Sequence, residues 1–133
     1  MRYLLDTHAF LWALTEPNKL PRQVAKIIDD PAHEIFLSAV SIWETAIKLR
    51  SGRLDLQGRT AMELLDEAGE MRVQLIKLDP YEAATSGNLI EDTHYDPFDR
   101  MLIWQAISRK MVLVSGDEQF QRFASDGLKL LWK

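Results

Sequence analysis

Four carboxylates in this chain each sit where a short apolar run gives way to a turn or a helix: Asp6, Glu44, Asp99 and Asp117. Asp6 closes Tyr3-Leu4-Leu5, and Asp117 follows Val112-Leu113-Val114 through Ser115-Gly116. Glu44 lies a turn into the helix that leaves Ile35-Phe36-Leu37, and Asp99 heads the helix that returns to Val112. Ligands of an open parallel sheet bind outside the carboxyl ends of its strands. Four acids from distant segments can therefore meet at one edge. Like charges at that range raise one another's pKa and repel unless a cation neutralises them. The chemistry this implies is a divalent metal site, and sites built only of carboxylates favour Mg²⁺ or Mn²⁺.

Each acid also has a plainer use. Asp6 and Asp117 stand where an N-cap is needed. Ser41-Ile42-Trp43-Glu44 matches the S-x-x-E capping box, and Glu44 precedes Lys48 by four residues, the favourable order for a helix ion pair. In Asp96-Pro97-Phe98-Asp99, Pro97 suits the first helical position, with Asp96 as the cap and Asp99 as a third-position acid. One acid is enough to start that helix, which leaves Asp99 free to point at the strand edge. What the plainer uses leave unexplained is that all four acids fall at the same end of their strands. His8, His33 and His94 lack metal-ligand spacing, and His94 reads as a loop residue. The phosphate-cradling and serine-hydrolase glycine motifs are absent.

The elements that must carry these residues follow from periodicity. Tyr3–Leu5, Ile35–Leu37 and Val112–Val114 read as short buried strands, Val73–Leu78 as a strand nearer a sheet edge, and Lys129–Trp132 as a last short strand. Helices are expected over Ala9–Leu14, from Pro21 through Ile28, from Ser38 or Ser41 to Gly52, over Thr60–Met71 and Tyr81–Leu89, and over Pro97–Lys110. Trp12, Trp43 and Trp104 fall on apolar helical faces and are expected in the core, whereas Trp132 suits core or interface. Short apolar strands alternating with longer helices specify an α/β domain around a mostly parallel sheet. No linker divides the chain, so residues 1–133 are expected to form one domain.

Composition narrows the function classes. With no cysteine among 133 residues, disulfides, thiolate zinc sites and cysteine nucleophiles are excluded, which fits a cytoplasmic protein. The first strand begins almost at once, so no signal peptide is expected, and no apolar run approaches a membrane span. The formal charge of −4 speaks against a nucleic-acid partner in bulk. A metal that neutralised four of the 20 acids would leave them matched to the 16 bases, so a local basic patch decides the question. Lys48, Arg50 and Arg53, trailing Glu44 out of its helix, are candidates for RNA-backbone contacts. Arg100 either joins them or pairs with an acid.

Leu4-Leu5-Asp6-Thr7-His8, Ser41-Ile42-Trp43-Glu44-Thr45-Ala46-Ile47-Lys48, Asp96-Pro97-Phe98-Asp99-Arg100 and Val114-Ser115-Gly116-Asp117 occur in that order. Together they resemble the motifs of PIN domains, and more narrowly those of VapC-type toxins, the ribonuclease components of toxin–antitoxin pairs. The resemblance implies a PIN-type three-layer α/β/α sandwich with a mostly parallel central sheet. It implies that Asp6, Glu44, Asp99 and Asp117 bind Mg²⁺ or Mn²⁺ as the catalytic quartet, assisted by the hydroxyls of Thr7 and Ser115. His8 departs from the pattern, since many relatives carry Asn there. The implied activity is metal-dependent endoribonuclease cleavage. Bound metal can activate water, stabilise charge on the phosphate and help the leaving oxygen. Implied partners are an RNA substrate, a cognate antitoxin and a second copy or hetero-oligomer, with Phe10–Leu14 and Thr60–Met71 as candidate contact helices. The alternative is a catalytically inert PIN-like scaffold or protein-binding module.

Overall fold

The structure, a computed structural model, describes residues 1–133. In chain order the elements are β1 (Arg2–Leu5), α1 (Thr7–Thr15), α2 (Arg22–Asp29), β2 (Glu34–Ser38), α3 (Ala39–Arg50) and α4 (Ala61–Glu70), then β3 (Gln74–Ile76), α5 (Pro80–Thr85), α6 (Pro97–Ser108), β4 (Val112–Val114) and β5 (Leu130–Leu131). Three 3₁₀ segments, Pro17–Lys19, Ser86–Asn88 and Glu118–Asp126, fill the longer connections. The sheet order is β3-β2-β1-β4-β5, and every pair is parallel. Parallel neighbours need long crossovers, which the helices provide. Since all strands point the same way, their carboxyl ends form a single edge, and Asp6, Ser38 and Ser115 lie along it.

Alternation within the strands makes the three layers. Tyr3 and Leu5 of β1 join Ile35, Leu37 and Val114 in one cluster with Phe10 and Leu11 of α1, Val24 of α2, and Leu64 and Ala68 of α4. Leu4 points to the other face, where Phe36 and Leu113 meet Ile103 and Ala106 of α6 and Phe120 and Phe123 of the last 3₁₀ segment. A fully buried Leu or Phe contributes about 1.5–3 kcal/mol relative to exposure, so these two clusters, each containing several such residues, hold the sheet between helices.

Several local expectations change. The strand expected over Val73–Leu78 shortens to three residues, on the edge as expected. The helix expected over Tyr81–Leu89 breaks at Ser86-Gly87 into α5 and a 3₁₀ turn. The S-x-x-E motif at Ser41 is not a capping box. Ser38 caps α3 by accepting from the Val40 N–H, so Ser41 lies a turn inside the helix and Glu44 is released for other bonds. The capping boxes instead start α4 (Thr60 with Glu63) and α5 (Asp79 with Glu82). Trp43 is not core: it is 59% exposed and packs edge-on against Phe98, with ring centroids 5.1 Å apart. Of the two helices expected to offer a partner surface, α1 turns Phe10 and Leu11 into the core. α4 likewise buries Leu64 and Ala68 but leaves Met62 exposed. No helix is long and apolar enough to cross a membrane.

Candidate metal centre

Asp6 ends β1 and caps α1. Its Oδ1 accepts from the Ala9 N–H at 2.7 Å, and its own N–H continues the ladder to the Val114 carbonyl at 3.0 Å. That ladder bond sets Asp6 beside Ser115. The group is 7% exposed and makes no ion pair. Burial, opposed by Ser115, the Ala9 bond and the field of His8 and aided by the charge of nearby Asp99, pushes its pKa up to about 6.

Glu44 projects from α3 with both oxygens engaged. Thr7 Oγ1, which also lies 2.9 Å from Ser41 Oγ, donates to Oε1 at 2.7 Å, and Lys48 Nζ donates to Oε2 at 2.6 Å. Asp96 caps α6 by accepting the Asp99 N–H at 2.9 Å. Asp99 is thereby free to use its side chain elsewhere, and its Oδ2 lies 3.0 Å from His94 Nε2. Burial raises the Asp99 pKa, the His94 bond lowers it, and the charges of Asp96 and Glu44 raise it again. Asp117 is exposed and caps the last 3₁₀ segment, its Oδ1 accepting from the Gln119 N–H at 2.9 Å, while its own N–H donates to Ser115 Oγ.

These four acids, from four elements, line one cavity of about 620 Å³. No three His, Asp or Glu side chains in it converge closely enough to form a ready-made ligand shell. The donor chemistry nevertheless fits a hard divalent cation. Asp6 is a buried carboxylate with no cationic partner, Asp99 adds like charge beside it, and oxygen donors surround both. Asp6 and Asp99 would be the central ligands, with Glu44 and Asp117 completing the set.

The remaining expected residues divide by position. Lys48 lines the cavity, but Arg50 lines a separate shallow depression beside Leu56 and Arg59, and Arg53 donates to Ser51 Oγ. Neither arginine reaches the acids. Arg100 pairs with no acid: it donates to the carbonyls of Glu91 and His94 and lies over the Phe123 ring.

Sequence reasoning did not find a second group of residues lining this cavity, the wall of His8, Trp12, Lys19 and Trp132. Trp12 and Trp132 pack with ring centroids 5.9 Å apart, and Lys19 Nζ lies over Trp12. Gly116 belongs to this wall because a Cβ there would stand 2.7 Å from the Trp132 indole. Only the tight Ser115-Gly116 lead-in hinted at this contact. His94 was also missed as a partner of Asp99. Its position five residues before that acid was the one available signal.

The PIN domain family model matches residues 3–126, nearly the whole chain. The chain belongs to the PIN domain family. This PIN domain resembles in fold a chain of VapBC2 from Rickettsia felis, solved bound to a DNA fragment from its promoter (TM-score 0.74, 18% identity, all of both chains covered). It also resembles VapBC-1 from nontypeable Haemophilus influenzae (0.68, 19%, covering 98% of this chain and 97% of that one). A third similar structure is FitAcB from Neisseria gonorrhoeae (0.60, 16%, covering 97% and 96%). No curated protein matches this PIN domain significantly in sequence.

Proposed function

We propose that this PIN domain is a Mg²⁺- or Mn²⁺-dependent endoribonuclease acting in the cytoplasm as the toxin of a toxin–antitoxin pair. The observation that carries the reading is the convergence of Asp6, Glu44, Asp99 and Asp117, from four elements, on one cavity at the carboxyl edge of the sheet. The fold likeness to VapBC and FitAcB chains supports the toxin assignment and, with it, a cognate antitoxin and a homodimer or hetero-oligomer.

A divalent cation held by Asp6 and Asp99 would supply activation of the attacking water and compensation of the charge on the phosphate. The protein's own part is to hold the oxygens in place. The Ala9 N–H fixes Asp6, Thr7 and Lys48 fix Glu44, and the cap on the Gln119 N–H leaves Oδ2 of Asp117 free. Lys48 and Lys19 bring positive charge to the cavity, and the exposed Arg50 and Arg53 extend it beyond α3 toward an RNA backbone.

One observation favours an inert scaffold instead: the acids form no ready-made shell, and both Glu44 oxygens are already taken. The deciding experiment incubates antitoxin-free protein with total cellular RNA in Mg²⁺, Mn²⁺ or EDTA, beside Asp99→Asn. Metal-dependent cleavage that Asp99→Asn abolishes establishes the nuclease. Absence of both cleavage and Mn²⁺ binding in folded protein establishes the scaffold.

A further inference from the structure

His94 belongs to the irregular segment before α6, yet its side chain is buried, at 8% exposure. The ring stands edge-on to Phe120 and Phe123, with centroids 5.7 and 5.9 Å away. Its Nε2 lies 3.0 Å from Asp99 Oδ2. An ionised carboxylate can only accept, so Nε2 carries the hydrogen and donates it. Asp99 Oδ1 has no hydrogen bond within the chain.

The backbone that carries this ring is tied down through three separate side chains. Asp126 accepts the N–H groups of Ile90 and Glu91 at 2.7 and 3.1 Å. The Glu91 carboxylate accepts those of Thr93 and His94, both at 3.1 Å. Arg100 Nη1 donates to the carbonyls of Glu91 (2.7 Å) and His94 (3.0 Å). Fixing backbone costs conformational entropy, so an ordinary surface connection has little call for this many ties. Their common result is a single imidazole orientation against one oxygen of one acid.

We propose that His94 is a positioning residue for the metal centre. By holding Oδ2 of Asp99, it turns Oδ1 toward the cation and makes Asp99 a one-oxygen ligand. This inference rests on the nuclease reading above. Partners of this kind, which orient a ligand without touching the ion, typically change metal affinity by about 10–100-fold when removed.

The test titrates Mn²⁺, followed by its EPR signal, into the whole protein without RNA. His94→Phe keeps the packing against Phe120 and Phe123 but lacks a donor, and His94→Gln returns an amide N–H near the Nε2 position. Thermal melts of each variant accompany the titrations. In His94→Phe the Mn²⁺ Kd is expected to rise about 10-fold or more, and in His94→Gln to recover most of that loss. Because the effect passes through Asp99, adding His94→Phe to Asp99→Asn is expected to change Kd by less than about twofold. A role in loop stability alone would lower the melting temperature of His94→Phe without this non-additivity. Unchanged Mn²⁺ affinity in folded His94→Phe, or an equal loss in the Asp99→Asn background, overturns the proposal. Wild-type protein that binds no Mn²⁺ overturns the metal-nuclease reading itself, and this inference with it.

Discussion

A site that gathers carboxylates without a cation should cost the fold stability, and Asp6 allows that cost to be measured. Its pKa is pushed from 3.8 up to about 6, chiefly by burial, against the pull of Ser115 and the Ala9 bond. An acid whose folded pKa is raised binds more protons folded than unfolded between those two values. Stability is therefore fully present below about pH 4, falls as pH rises through 6, and stays reduced above it. Two pKa units correspond to about 3 kcal/mol. Asp6→Asn removes the charge, and Asn caps a helix as well as Asp does, so the Ala9 bond survives. The new amide NH₂ lacks an assured acceptor, which takes back about 1 kcal/mol. The expected net gain for Asp6→Asn in EDTA at pH 7.5 is thus about 2 kcal/mol, shrinking as pH falls and becoming a deficit of about 1 kcal/mol near pH 4, where only the cost of the amide remains. Urea unfolding of both proteins from pH 4 to 8 measures it. Saturating Mn²⁺ is expected to reverse the order, because only the protein that binds the ion gains from mass action. An Asp6→Asn protein less stable than wild type in EDTA throughout that range would refute the reasoning.

Two further outcomes can be checked on the purified protein. Glu82 accepts Arg109 Nε and Nη2 at 2.6 and 2.9 Å, Gln105 Nε2 at 3.1 Å and the Asp79 N–H at 3.0 Å, and its pKa, lowered mainly by Arg109, is about 2. A depressed folded pKa gives stability that is present above about pH 4.5 and lost as pH falls toward 2. Because the Arg109 side chain is 27% exposed, solvent screening reduces the contribution to about 1–2 kcal/mol, so the gap between wild type and Glu82→Gln in urea should shrink by that much between pH 6 and 2.5. A constant gap would contradict the assignment. Gly116→Ala would place a Cβ 2.7 Å from the Trp132 indole and force it off Trp12, at a cost of about 1 kcal/mol, the low end for overpacking because Trp132 is only half-buried. A lower melting temperature with altered tryptophan emission is expected, and a variant matching wild type in both would show that the indole does not rest on this glycine.

What the sequence made legible was whatever depends on near neighbours. Short apolar runs alternating with helices announced the parallel sheet. Asp96-Pro97-Phe98-Asp99 announced which of two acids would cap and which would be spare, as the Asp96 bond to the Asp99 N–H shows. The convergence of the four acids on one cavity followed from a rule about strand ends. Contacts made across the fold were not legible. Ser38 and Ser41 are equally good caps in isolation, and only the length of β2 chooses Ser38. Trp43 lies on an apolar stripe, yet its neighbour is Phe98 at the rim rather than the core. Arg100 resembled a phosphate ligand because its carbonyl partners, Glu91 and His94, carry no sequence signature for such a role.

The central position of β1 has a consequence for how quickly this molecule can fold. The first strand made is flanked by β2 and by β4, with Tyr3 paired to both Ile35 and Val112. Chains whose contacts join distant segments fold slowly, because loop-closure entropy is lost before those contacts form. The seam between β1 and β4 is among the most distant pairings in the chain, and Asp6 and Ser115 lie across it. Forming that seam brings together the two flanks of the acidic cavity, so the cavity cannot exist before this long-range pairing is made.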